Sequence, residues 1–408
     1  MNCRHCGSLL EHLFLNLGLA PPTNAYRVKT DLQKPEREFP LKLFVCVECW
    51  LVQTEDFTEP EELFTSDYPY YSSTSQSWLD HASQYVKSVS ERFELNAKSQ
   101  VIEIASNDGY LLKNFITKGI PCLGIEPSSN TADAAEDLGI PVVREFFSSN
   151  TAFSLIKKNK QADLVLANNV YAHVPDINDF TLGIKRILKP AGTITIEFPH
   201  LLRLLEDVQF DTVYHEHFSY LSLQTVDRIF RKMELRVWDV ETLSTHGGSL
   251  RIYGCHEDDP REVSAHVTEM LAQEKNSGLQ ELSVYQNFQK RADRVKTDLL
   301  RYLEGQKMSG KKIAAYGAAA KGNTFLNYAG IKTDLISFIC DAAPSKQGKY
   351  MPGSHIPILP INALRQNKPD IILILPWNLA TEIISQNSYV REWGGKFITA
   401  IPKINIIQ

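Results

Sequence analysis

The sequence predicts an α/β protein in which a small cysteine-built module precedes two nucleotide-fold-like units in tandem. Three observations carry that expectation. Two CxxC pairs, Cys3/Cys6 and Cys46/Cys49, stand in the first fifty positions. From residue 101 short apolar runs alternate with helix-like runs, the pattern of a parallel, doubly wound sheet. After residue 310 the alternation starts again.

In the first module, residues 1–72, FPLKLFVCVEC reads as a strand entering the second cysteine knuckle. Four thiolates match the tetrahedral demand of a closed structural zinc, with Cys3, Cys6, Cys46 and Cys49 as ligands and no open position for catalysis. A segment this short has little core of its own, so metal binding would supply folding energy. The tyrosine-rich loop SDYPYYSSTS (66–75) follows and leads into a helix around Trp78 to Phe93.

The second unit, residues 73–258, begins with VIEIASNDGYLL (101–112), a strand, a loop and the start of a helix. Such a loop turns backbone N–H groups toward a ligand. CLGIEP, DLVLANN and GTITIEFP read as further strands, with helices at TADAAEDLG and NDFTLGIKRILKP between them. The strand ending at Glu126 places a carboxylate where ribose hydroxyls are held in nucleotide folds. By itself the loop also suits a dinucleotide oxidoreductase. SLRIYGCH reads as a late strand closing this unit.

The third unit, residues 259–408, opens on a polar stretch with an apolar stripe: Leu282, Tyr285, Phe288, Ala292, Val295, Leu299 and Leu303. It reads as one long connecting helix. KKIAAYGAAAKGNTFLN is then strand–loop–helix, and LISFICD and DIILILPW are strands.

Chemistry concentrates in DTVYHEHFSYLS (211–222), with Tyr214, His215, Glu216 and His217 in succession. It is not HExxH, which excludes that zinc-protease signature. A histidine beside a carboxylate can serve as a general base near neutral pH. NNVYAHVPD places Asn168, Asn169 and His173 after the third strand, at the edge where ligands bind. THGGSLRIY brings His246, paired glycines and Arg251. YGAAAKGNT offers Lys321 and Asn323 at a helix start, and KQGKYMPGSHIPI adds Lys346 and Lys349. These could hold a phosphate.

Bulk properties narrow the classes. Of 408 residues, 43% are hydrophobic and 22% charged, with a formal net charge of -5. An acidic balance disfavours a nucleic-acid partner. No run approaches the roughly 20 apolar residues of a membrane span, and MNCRHCGSLL lacks the apolar core of a signal peptide. Seven cysteines, four of them in CxxC pairs, suit a reducing cytoplasm.

In this order the segments resemble the S-adenosylmethionine (SAM)-dependent C-methyltransferases that act on nucleotide-linked 4-keto-6-deoxy sugars. The resemblance runs nearly end to end, through the cysteine module, SNDGYLL, YHEH, HGGSLR, YGAAAKGN and KQGKYMPGSHIPI. It implies a Rossmann-like central domain that binds SAM through Glu103, Ala105, Ser106, Asn107, Gly109, Glu126 and Asn168. It implies His217 as the base, with Tyr214, Glu216 and His173 as catalytic partners. Glu216 or Tyr214 would set the tautomer of His217, and His173 or Asn169 would donate to the enolate oxygen. Substrate contacts would come from Tyr68 or Tyr71, Asn169, Arg251, Lys321, Asn323, Lys346 and Lys349. Ala105 and Asn107 stand where that family usually shows glycine. The implied substrate carries dTDP and is methylated at C-3, by a cytoplasmic monomer that carries structural zinc. C-5 methylation, or O- or N-methylation of a small molecule, remains the alternative.

Overall fold

The computed structural model describes residues 1–55 and 71–407; Tyr68 lies outside them. Seventeen strands form three sheets among the described residues. In chain order these are β1 (His12–Ala20), β2 (Phe39–Val45), β3 (Val52–Thr54), β4 (Val101–Ile104), β5 (Cys122–Ile125), β6 (Val142–Val143), β7 (Ala162–Asn168), β8 (Leu188–Pro199), β9 (Ser219–Tyr220), β10 (Leu235–Leu243), β11 (Ser249–His256), β12 (Ile313–Tyr316), β13 (Ile339–Cys340), β14 (Ile358–Leu359), β15 (Ile371–Ile374), β16 (Lys396–Thr399) and β17 (Asn405–Ile407).

The central sheet has the order β10-β11-β8-β7-β4-β5-β6. β6, β5, β4, β7 and β8 are parallel, and β11 runs antiparallel between β8 and β10. β4, β5 and most of β7 are buried, which accounts for their unbroken apolar runs. Strand order reverses between β4 and β7, so the crevice at their carboxyl ends is the topological switch point. The helix Gln76–Arg92 lies against this crevice. Ser75 caps its start by accepting from the Trp78 N–H, and Ala82, Tyr85, Val86 and Val89 form its buried face.

The stretch expected as one long helix is three: Ala265–Asn276, Leu282–Gln286 and Phe288–Met308. Gly278 breaks it with φ 80°, a conformation that ends helices because it carries no Cβ penalty in glycine. Tyr285, Phe288, Ala292, Val295, Leu299 and Leu303 are buried as the stripe required. They join a single core with Phe14 and Leu43 of the first sheet, with Leu201, Leu202, Leu204 and Leu205, and with the C-terminal sheet β14-β13-β12-β15-β16-β17.

The cysteine module is knitted into the rest. Its sheet, β1-β2-β3-β9, takes its last strand from the segment after the YHEH motif. Cys3, Cys46 and Cys49 share an apolar cluster with Leu221, Leu223 and Val226. No helix among the described residues is long and apolar enough to cross a membrane.

Candidate active site

The loop after β4 is held open by backbone geometry. Ala105 (φ 56°) and Asn107 (φ 49°) take the left-handed conformations that glycine adopts most easily. Asparagine tolerates this region, which explains the second replacement better than the first. Glu126, just past β5, accepts the Asn107 N–H at 2.9 Å through one carboxylate oxygen and the Ser128 N–H at 2.9 Å through the other. A carboxylate has about four lone-pair sites, so acceptor capacity remains on each oxygen.

The pocket is otherwise lined with unmet polar atoms. Glu103 Oε2, Ser106 Oγ, Asp108 Oδ1 and Asn168 Oδ1 are buried without a hydrogen-bond partner among the described residues. Burial, then the neighbouring Asp108 and Glu126 charges, push the Glu103 carboxyl well above the usual carboxylate range. Buried acceptors without partners are costly unless a ligand meets them. A cluster of carboxyl groups and hydroxyl-sized acceptors fits the ribose and cationic amino end of SAM. Gly109 also has a packing role. A Cβ there would overlap Ile140 and lie 3.2 Å from the Ala135 Cα, so this glycine packs the loop onto the helix Ser129–Asp137.

The helix Gln76–Arg92 and the turn before it pack beside this loop. The Ser72 and Ser73 N–H groups donate to Asn107 Oδ1 and Asp108 Oδ2, and Tyr71 is half-buried just before them. Trp78 stacks on His81 at 4.9 Å and meets the His246 ring edge-on at 5.3 Å.

Next to it lies the histidine cluster. His173, from the turn after β7, and His217 have ring centroids 4.5 Å apart. The Tyr214 ring covers His217 at 3.9 Å. His217 Nδ1 lies 3.1 Å from the Thr212 carbonyl, and His173 Nδ1 lies 2.7 Å from the Glu216 carbonyl. A carbonyl can only accept, so each Nδ1 carries the hydrogen and each Nε2 carries the lone pair. Burial, then the neighbouring His173, holds His217 well below its ordinary range; burial brings His173 to about 4. Both rings are therefore neutral at pH 7.

These contacts alter two expected roles. The Thr212 carbonyl, not Glu216 or Tyr214, sets the tautomer of His217. Glu216 instead accepts two hydrogen bonds from Asn24 Nδ2, at 2.8 and 3.0 Å. His173 cannot donate from Nε2 while its single N–H is committed to Glu216. His215 turns away to the carbonyls of Phe39 and Pro40. Both side-chain polar atoms of Asn169 are buried and unpartnered among the described residues.

Arg251 is tied into a buried charge network, with its Nε left unpartnered among the described residues. Its guanidinium binds Glu197 at 2.8 Å and Glu241 at 3.0 Å, with His81 at 3.1 Å. Burial alone would raise the Glu197 carboxyl, but the His81 hydrogen bond and the Arg251 charge bring it to about 2. Sequence spacing hid this network, because Glu197 sits inside an apolar strand run.

The C-terminal unit reaches the same place. Lys321 donates to Asn378 Oδ1 at 2.7 Å and lies 4.8 Å over the Trp377 ring. The Trp377 indole donates to the fully buried Asp211 at 2.7 Å. Asn323, also fully buried, has both side-chain polar atoms unpartnered among the described residues. Lys346 is spent on the Ala318 carbonyl at 2.9 Å, beside Asp341, while Lys349 is half-buried in the adjoining loop. Asn24, Asp211, Thr212, Trp377 and Asn378 went unread because no local motif marks them.

At the other end of the first module, the four cysteine sulfurs lie within 4.8 Å of one another. The Cys3–Cys49 and Cys6–Cys46 separations are 3.5 Å. Zinc–sulfur bonds of about 2.3 Å at tetrahedral angles imply sulfur separations of about 3.8 Å, so the cage fits zinc. It is far too wide for disulfides, whose S–S length is about 2.05 Å.

Comparison with known proteins agrees with this anatomy. Three family models match: a zinc binding domain over residues 3–64, a methyltransferase domain over 78–240, and a C-methyltransferase C-terminal domain over 244–402. The C-methyltransferase NovU of Streptomyces niveus is 35% identical over 406 residues, spanning 100% of this chain and 96% of that one. A ubiquinone biosynthesis O-methyltransferase of Rhodopseudomonas palustris is 28% identical over 112 residues, 26% of this chain and 44% of that one. Among solved structures, a SAM-dependent methyltransferase from Clostridium acetobutylicum aligns with TM-score 0.36 and 12% identity, covering 44% of this chain and 92% of that one. The full-length match and the pocket geometry together make this chain a member of the C-methyltransferase family, a SAM-dependent enzyme with a zinc-binding module.

Proposed function

We propose that the enzyme methylates carbon C-3 of a nucleotide-linked 4-keto-6-deoxy sugar, with His217 as the base. The observation that supports this most is the buried, neutral His217 ring, whose Nδ1 is tied to the Thr212 carbonyl and whose Nε2 lone pair is left for a substrate. Carbon becomes nucleophilic only as a carbanion, and a ketone at C-4 acidifies the C-3 hydrogen. His217 Nε2 takes that proton, and the electron pair spreads onto the C-4 oxygen. Burial disfavours an isolated imidazolium, but here the cation forms beside the enolate it creates, so the pair is neutral overall. SAM, when bound, would supply an electrophilic sulfonium methyl; its transfer to C-3 would break the S–CH3 bond, leave S-adenosylhomocysteine with the sulfur electron pair, and restore the C-4 ketone.

Glu103, Ser106, Asn107, Glu126 and Asn168 would hold the cofactor. Tyr214 keeps water from the His217 face, and Glu216 fixes Asn24 and, through its carbonyl, His173. Asn169 offers an unused amide at the carboxyl edge of β7. Lys321 and Asn323, at the start of the helix Ala320–Ala329, suit the diphosphate of a dTDP carrier. Positioning of the two partners would carry much of the rate.

Incubation with SAM and a panel of nucleotide-linked 4-keto-6-deoxy sugars, read by mass, tests the reading. Gain of one methyl on carbon is expected. Without SAM, deuterium should wash into C-3 from heavy water. His217→Ala should abolish both while SAM still binds; near-normal kcat in that variant removes His217 as the base. Exchange at C-5 in place of C-3 would move the methylated position.

A further inference from the structure

The geometry points to His246 as a further catalytic residue, the hydrogen-bond donor to the carbonyl oxygen on which charge develops. The inference rests on the keto-sugar reading above. That reading needs a donor, and His173 and His217 do not provide one. His173 and His217 are neutral, and each commits its only N–H to a backbone carbonyl. His246 lies within electrostatic reach of His173 and His217, and its buried Nε2 has no hydrogen-bond partner among the described residues.

Its placement is enforced. His246 has φ 53°, a left-handed conformation uncommon outside glycine but one that histidine adopts more readily than most residues, and contacts on either side hold it there. The clamps come from three directions. Thr245 Oγ1 donates to Glu197 at 2.8 Å, and Glu197 accepts the Asn169 N–H at 2.7 Å through its own carbonyl. Gln209 Nε2 donates to the Gly247 carbonyl at 2.8 Å. A Cβ at position 247 would overlap Trp377, the residue that binds Asp211 next to Thr212. The Trp377 side chain that binds Asp211, next to Thr212, therefore also fixes the backbone beside His246. Trp78 closes the ring edge.

Charge supports the role. Burial, then the Lys321 charge, brings His246 to about 4, so at pH 7 it is a neutral donor. A neutral imidazole can stabilise an enolate without surrendering a full proton, as in the triosephosphate isomerase precedent. The proton removed from carbon goes to His217, and His246 only lends its N–H while the oxygen is negative.

The test uses the full-length zinc-loaded enzyme and two variants. His246→Gly removes the ring and suits the left-handed backbone. His246→Asn keeps a shorter N–H donor in a residue that tolerates the same backbone. Expected for His246→Gly is a fall in kcat of about 10²–10³-fold. SAM-free deuterium exchange into the substrate should fall in parallel, with SAM affinity and Tm near wild type. His246→Asn should recover about tenfold of that loss. The role is overturned if His246→Gly keeps kcat within about twofold, if the loss lies wholly in KM, or if both variants lose equally. If wild type itself neither exchanges nor methylates any keto sugar, the substrate reading falls first and carries this role with it.

Discussion

Replacing Asp211 with asparagine is expected to stabilise the protein at pH 8 and to do so less at pH 5. Asp211 is fully buried. Burial raises its carboxyl from 3.8 to about 6, despite the opposing Lys321 charge and the Trp377 indole N–H. A raised carboxylate stabilises the folded state only while protonated. Between pH 3.8 and 6 the folded chain holds more protons than the unfolded chain, so stability falls as pH rises through that window. Above it the penalty is constant at about 3 kcal/mol, from a shift of about two units at 1.36 kcal/mol each. The attraction to Lys321 is already contained in that shift. Asparagine keeps an oxygen for the indole and places an amide where Oδ1 now lacks a partner among the described residues. With an unfolding entropy of about 2.1 cal/mol/K per residue over 408 residues, the gain is about 3 °C in Tm if the chain unfolds as one unit. At pH 5 about half should remain. Calorimetry of Asp211→Asn and wild type at the two pH values checks this. A variant that melts below wild type at pH 8, or a gap independent of pH, refutes the reasoning. A stabilising change inside the catalytic segment would mark Asp211 as a charge kept for activity at a cost in stability.

Other perturbations test other parts. His173 and His246, at about 4 against an ordinary 6.5, keep their full stability contribution above pH 6.5 and lose it as pH falls toward 4; each should cost about 2 kcal/mol by pH 5. Wild-type Tm should therefore fall further between pH 7 and 5 than the Tm of His246→Asn, which lacks one of these rings, and equal falls would contradict the burial of His246. A strong chelator should remove zinc and lower Tm, because the cysteine cage shares its core with Leu221 and Val226; unchanged melting after measured metal loss would show the cage to be dispensable. Gly109→Ala should destabilise by about 1–3 kcal/mol through its 75° φ and the Ala135 backbone, with SAM affinity altered far less than in Glu126→Ala.

The parts of this molecule that were legible in sequence are those in which local spacing is the physics. Four cysteines in two pairs declare a tetrahedral cage, and buried parallel strands write themselves as apolar runs. Glu126 could be placed because the strand before it ends where the ribose site of a nucleotide fold must lie. The catalytic geometry is different in kind. The tautomer of His217 depends on a carbonyl five residues back, which any amino acid at position 212 would possess, so no residue type announces it. Asp211 acquires meaning only through Trp377, 166 positions away. The tie of Arg251 to Glu197, its partner across the β8–β11 pair, was not legible because Glu197 is hidden in a hydrophobic stretch. Gly278 shows the same limit for the fold. An apolar stripe at helical spacing continues through residues 282–303 whether or not the chain breaks before it, and only the left-handed φ reveals the break. The histidine proposed as base is thus nameable from one segment, while its tautomer is set by a backbone carbonyl whose neighbour Asp211 is bound by a tryptophan from the other end of the chain. Substitutions at Trp377 should accordingly disturb catalysis more than its distance in sequence from His217 would suggest.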